Sequence, residues 1–281
     1  MRRKLILPVT LVLVLILSML SPFVIHKIQD SFNNNGSEVI DSFSYKNVKL
    51  NKNDYIYFGN YLNKPILWKV LDIEDKKALL MSEYVISFKA FDACGKSELF
   101  HQSDSEKYGS SIWENSTLKE WLNSDEKYVS YSHCPPEKKS VFNAHNAYAE
   151  ESGFLYKDNF NIQEKKLISA DGVFILNNSQ MKKYFDNKSR RKICTPDSIE
   201  QNDSPYIIMP AKSVWYWTSS PVSSNNVSVS AVTSSGTFYK SLAFDGAMGV
   251  CPALYIETVA FEAYCGDGSK ENPYIMTIAV R

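Results

Sequence analysis

Asp54-Tyr55-Ile56-Tyr57-Phe58-Gly59, then Pro65-Ile66-Leu67-Trp68-Lys69-Val70-Leu71-Asp72-Ile73, then Ala78-Leu79-Leu80-Met81-Ser82 follow one another in a single short stretch. The first segment alternates and stops at a glycine. The second is rich in branched and aromatic residues. Glu74-Asp75-Lys76-Lys77 is a polar turn, after which the third segment returns. Such residues fit a half-buried pleated surface, so the stretch predicts a β-meander.

Toward the C-terminus the same logic predicts strands at residues 215–218, 226–232, 237–242, 250–256 and 274–280. Ser219-Ser220-Pro221, Ser234-Ser235-Gly236, Asp245-Gly246 and Gly266-Asp267-Gly268 are the intervening turn signals. Between meander and C-terminal strands, Thr117-Leu118-Lys119-Glu120 has the T-x-x-E form of a capping box and predicts a helix over 118–123. Leu118, Trp121 and Leu122 then share its inner face. Val173-Phe174-Ile175-Leu176 predicts a buried strand, and Asn177-x-x-Gln180 caps a helix over 179–185, with Tyr184 and Phe185 in the core. The sum is an α+β domain: an antiparallel sheet with short helices, and long loops between 86 and 172.

The N-terminus has a different character. Residues 1–4 are Met-Arg-Arg-Lys, and residues 5–25 contain no charge. A helix of about 21 residues is roughly 31 Å long, enough to cross a bilayer. The basic tail holds that end in the cytoplasm, so the rest is expected outside the cell membrane. The run is longer than a signal-peptide core, and Ser18-Met19-Leu20-Ser21-Pro22 is a poor cleavage site, so an uncleaved single-pass anchor fits better than a cleaved signal. Residues 26–53 read as a linker, with the Asn/Gly/Ser-rich FNNNGSEVIDSFS at its centre, and residues 54–281 as one extracytoplasmic domain.

The chain has 31 basic and 31 acidic residues; removing residues 1–30 leaves 27 − 30, a net charge of −3. The densest basic run, Lys188-Ser189-Arg190-Arg191-Lys192, is short for a nucleic-acid footprint and reads as a solvated loop. No nucleic-acid partner is expected. The five cysteines, Cys94, Cys134, Cys194, Cys251 and Cys265, lie beyond the membrane segment, and the odd count leaves at least one thiol over.

The pattern Phe58-Gly59-x-Tyr61, Pro65-Ile66-x-Trp68-x-Val70-Leu71, Ala78-Leu79-Leu80-x-Ser82, Trp121-Leu122-Asn123, Trp217-Thr218-Ser219-Ser220-Pro221 and Gly249-Val250-Cys251-Pro252-Ala253-Leu254 resembles a bacterial extracytoplasmic domain family of unknown function. The resemblance runs over roughly residues 54–257. It implies a C-type-lectin-like fold and, more loosely, kinship with formylglycine-generating enzymes. The family usually carries Arg where this chain has Thr218 and again where it has Cys251. Any ligand or carboxylate held by those arginines is lost here, or both were structural and have been replaced together.

Candidate chemistry follows. Cys251 and Cys265 raise an oxidase of the formylglycine-generating type, against the plainer reading of a disulfide or buried thiol. Cys94, His101, His133, Cys134 and His145 lack the tight spacing of a zinc site, and neither Asp245-Gly246 nor Asp267-Gly268 has the oxygen density calcium needs. No metal, cofactor or catalytic residue is expected. Trp215, Tyr216 and Trp217 alternate on a strand, one face in the core and the other able to carry a ring for a glycan or peptide. With Thr218 and Cys251 they form the expected ligand-binding set. The expectation is a membrane-anchored cell-surface module that binds a glycan or a surface protein without catalysis. The alternatives are the oxidase and a structural envelope component.

Overall fold

The structure, a computed structural model, describes residues 46–94, 104–132, 137–143, 148, 151–200, 211–258 and 261–278. The uncharged run at 5–25, expected to cross a membrane, lies outside these residues, as do His101, His133, Cys134 and His145 of the zinc question. Among the described residues, no helix is long and apolar enough to cross a membrane.

The first described strand is β1 (Lys46–Asn47), so the sheet starts inside the stretch read as linker. The predicted meander follows as β2 (Tyr55–Tyr61), β3 (Lys64–Glu74) and β4 (Lys77–Ser82), paired antiparallel in turn. Leu62/Asn63 and Asp75/Lys76 all take positive φ, the backbone form that closes a two-residue hairpin without splaying its strands. The β2–β3 register shifts between Tyr57 and Asn60, where Gly59 takes φ +63°. A Cβ at Gly59 would lie 2.1 Å from the Phe160 ring, so both conformation and space require glycine there.

The remaining strands are β5 (Ser87–Phe88), β6 (Ile168–Phe174), β7 (Lys192–Ile193), β8 (Ser213–Val214), β9 (Tyr216–Pro221), β10 (Ser228–Val232), β11 (Phe238–Leu242), β12 (Gly249–Val250), β13 (Ala253–Glu257), β14 (Phe261–Cys265) and β15 (Tyr274–Ile278). They do not form the one antiparallel sheet expected. The large sheet runs β1-β14-β15-β2-β3-β4-β13-β6 and the small one β11-β10-β9-β12-β5, while β7 and β8 pair only with each other. Each contains a parallel pair, β15 with β2 and β12 with β9. The strand expected over 250–256 is cut at Cys251-Pro252. Proline has no N–H for a ladder, so the chain leaves the small sheet after Val250 and enters the large one at Ala253.

Short helices fill the connections: α1 (Asp104–Tyr108), α2 (Thr117–Asn123), α3 (Ile162–Leu167), α4 (Asn178–Tyr184) and α5 (Pro196–Glu200). The Asn177/Gln180 capping box forms as expected. The one at α2 does not: Ser116 is the cap, accepting from the Lys119 N–H, while the Thr117 hydroxyl donates to Asp92 at 2.8 Å. A second box, Asn161/Glu164 before α3, escaped the sequence reading.

Both faces of the large sheet are covered, which explains the nearly unbroken apolar run of β4. Trp68, Val70 and Leu80 turn to one core with Trp121, Phe154 and Trp217. Leu71, Leu79 and Met81 turn to a second with Phe88, Phe185, Tyr216 and Cys251. Each fully buried large apolar side chain contributes about 1.5–3 kcal/mol.

Candidate functional site

The five residues expected to bind ligand separate in the structure. Trp215, just ahead of β9, is 37% exposed and meets Tyr239 of β11 edge-on, ring centroids 5.8 Å apart. The other four are buried. The Tyr216 hydroxyl donates to the Arg190 carbonyl at 2.6 Å, and the Trp217 indole N–H to the Lys89 carbonyl at 2.8 Å. The Thr218 hydroxyl lies 2.9 Å from both the Asn178 side-chain oxygen and the Ser230 carbonyl, which share its one proton. Burial pushes the Cys251 thiol up to about 12, the nearby Lys192 ammonium notwithstanding. A thiol so placed carries almost no thiolate at neutral pH, and the thiolate is the reactive form. Cys194 shares that core and is likewise an unbridged thiol raised by burial.

An open concavity lies elsewhere. It is a cleft of about 740 Å³ between the β2–β3 hairpin and the segment leading from β7 into α5. Tyr57, Leu67, Tyr84 and Ile86 line one side and Ile193, Cys194 and Ile199 the other. Strand pairing holds the two walls together: Val85 bridges Cys194, and the Val85 N–H donates to the Ile193 carbonyl at 3.0 Å. Lys64 on the hairpin reaches Asp197 of α5 at 2.9 Å, tying the walls together at the surface. Lys270 also lines the cleft; its ammonium is 2.6 Å from Glu83, which lies 3.3 Å from the buried Lys192. Burial alone would raise the Glu83 carboxyl, but the two ammoniums outweigh it and hold the group below the usual carboxylate range. The lining is chiefly aromatic and aliphatic with charge at the rim, the common make-up of a ligand site.

Behind the cleft wall lies a polar chamber. The Tyr61 hydroxyl donates to Glu151 at 3.0 Å, and Glu151 pairs with the Lys89 ammonium at 2.9 Å. Lys89 has no exposed surface, and its ammonium lies 4.4 Å and 4.7 Å from the ring centroids of Trp121 and Tyr148. Burial lowers its pKa, opposed by Glu151. The Lys89–Glu151 approach is off the hydrogen-bond line, so charge and the two ring faces hold the ammonium.

Among the described residues, no three His, Cys, Asp or Glu side chains gather as a metal site. Asp245 is occupied by Asn143, Ser241 and the Ala247 N–H, and Asp267 closes an Asx turn on Ser269. Tyr84, Asp197 and Lys270 were not singled out in the sequence because they come from three distant segments. Lys89 did leave a signal: it is the one charge in Val85-Ile86-Ser87-Phe88-Lys89-Ala90-Phe91.

No curated protein and no solved structure matches the chain. The profile of a family described as a domain of unknown function (DUF6273) matches residues 75–258, more than half of the chain, and the chain belongs to that family.

Proposed function

We propose that this chain is a membrane-tethered module of the cell surface that binds a segment of another surface protein in the cleft, without catalysing a reaction. The observation that carries the reading is the cleft: about 740 Å³, apolar and tyrosine-lined, with charge confined to its rim. Apolar side chains of an extended segment would bury against Tyr57, Leu67 and Tyr84, while Lys64, Asp197 and Lys270 set register at the ends. A glycan would find fewer polar partners on this floor. The uncharged run at residues 5–25 supplies the tether, with the basic tail inside and the domain outside. Short helices on packed sheets are in keeping with the lectin-like fold that the sequence resemblance implies. An oxidase of the formylglycine-generating type would need a reactive cysteine, and the buried Cys251 thiol argues against one.

The test is a binding screen of the full chain in detergent micelles against peptide and glycan arrays, repeated with Tyr84→Ser and Leu67→Asp. Peptide hits weakened about tenfold or more by either change are expected, since each removes apolar contact and Leu67→Asp places a charge in the floor. Hits that neither change affects, or none at all, would overturn the reading.

A further inference from the structure

We propose that the edge of the small sheet at β11 is a second binding face, separate from the cleft, and that its occupant is an acidic polysaccharide. The case begins with charge. No Asp or Glu occurs between Asp203 and Asp245, the stretch that supplies β8 to β11. Cations then gather on the β10–β11 hairpin from a different part of the chain. The Lys182 ammonium lies 5.6 Å from the centroid of the Phe238 ring, and the Arg190 guanidinium 4.6 Å from it. At the hairpin turn, a Cβ on Gly236 would lie 1.7 Å from the Asn187 carbonyl oxygen and 3.3 Å from the Arg191 stem, so the loop carrying Lys188 and Arg191 is packed directly on the turn. Lys240 follows Phe238 on the same side of β11.

Lys182, Lys188, Arg191 and Lys240 are all exposed, and none has a carboxylate partner among the described residues. The carboxylate of Asp186, on the same loop, is turned onto the Ser189 N–H and hydroxyl. On a domain whose net charge is negative, four unpaired cations around one hairpin make a local field for an anion.

The other side of the same strand supplies rings. Tyr239 is 61% exposed and sits against the half-exposed Trp215. Two large aromatics left in water side by side offer flat apolar surface to the C–H faces of sugar rings. The exposed Ser234 at the turn offers a hydroxyl to a polymer of hydroxyls, while those of Ser235 and Thr237 bond each other and Thr233. Because β11 is the sheet edge, a polymer lying along it reaches both sides, carboxylates or phosphates on the cations and sugar rings on the aromatics. A plain anionic membrane would use the cations alone.

The experiment measures retention of the full chain, in detergent micelles, on polygalacturonate and on neutral dextran, and its binding to phosphatidylglycerol vesicles. The variants are Arg191→Glu with Lys240→Glu, Tyr239→Ser, and a control, Lys127→Glu with Lys157→Glu, which makes the same charge change at exposed sites elsewhere. Melting temperatures show that each variant is folded. Retention on polygalacturonate alone is expected, weakened about tenfold by the first pair at low salt, weakened also by Tyr239→Ser, and little changed by the control. Equal weakening by the control would reduce the effect to net charge and overturn the proposal. So would absence of retention, or vesicle binding as tight as polygalacturonate binding and indifferent to Tyr239→Ser. None of these residues lines the cleft, so the two readings fail separately.

Discussion

The Lys89 ammonium stands 2.9 Å from the Glu151 carboxylate with no solvent around it, roofed by the rings of Trp121 and Tyr148. Lys89 follows β5 of the small sheet, and Glu151 belongs to the segment before α3, so the pair fastens two parts of the chain that share no strand pairing. Glu151→Gln removes the one counter-charge paired with Lys89 among the described residues and leaves a buried cation. We expect a loss of about 3–5 kcal/mol, read as a fall in melting temperature. Lys89→Met combined with Glu151→Leu removes both charges and is expected to cost much less than Glu151→Gln alone. Equal losses would show that the chamber depends on shape and not on charge.

Glu83 makes the fold sensitive to acid. Its carboxyl is held low in the folded chain by Lys192 and Lys270 against the effect of burial. The unfolded chain therefore takes up the proton first, below about pH 4.3. The stabilisation is present in full above that value and is lost as pH falls through the lower folded value. Glu83→Gln is expected to cost about 3 kcal/mol near neutral pH, with the gap from the parent protein shrinking below about pH 4.3. Denaturant titrations at stepped pH measure it; a gap that stays constant with pH would refute the linkage.

Cys251 is expected to resist alkylation by iodoacetamide at pH 7.5 in the folded chain and to react once the chain is unfolded in denaturant. Both its burial and its thiol pKa of about 12 keep the thiolate from forming. Mass spectrometry of tryptic peptides reads the result. Rapid labelling of Cys251 in the folded protein would contradict its placement and revive a redox role.

A fragment limited to residues 75–258 is expected not to fold. The family profile spans that segment, yet β1, β2, β3, β14 and β15 of the large sheet lie outside it. Without them β4, still paired with β13, becomes a sheet edge, and Trp68 and Val70 no longer close the core. Circular dichroism and a thermal melt decide the matter: a cooperative transition in the fragment would mean that the flanking strands are accessory.

Local chemistry made much of this chain readable. The β2–β3–β4 meander follows from alternation and polar turns, and α4 from the Asn177/Gln180 box, because these depend on residues close in sequence. The cap of α2 was misplaced by one residue because Thr117 is drawn to Asp92, a partner far along the chain. The division into two sheets was hidden in an apolar run that reads as one strand until Pro252 is seen to separate two ladders.

The sequence by itself determined the α+β character, the uncharged N-terminal run and the aromatic richness, all set by composition and short-range order. Only the tertiary structure decided which aromatics face water. Tyr216 and Trp217 spend their polar atoms on the Arg190 and Lys89 carbonyls inside the protein, while Trp215 and Tyr239 stay at the surface. It likewise decided that the hairpin at β2–β3 and the segment before α5 form a cleft. Burial and proximity between distant segments come from strand pairing across the fold, and no local pattern of residues encodes them.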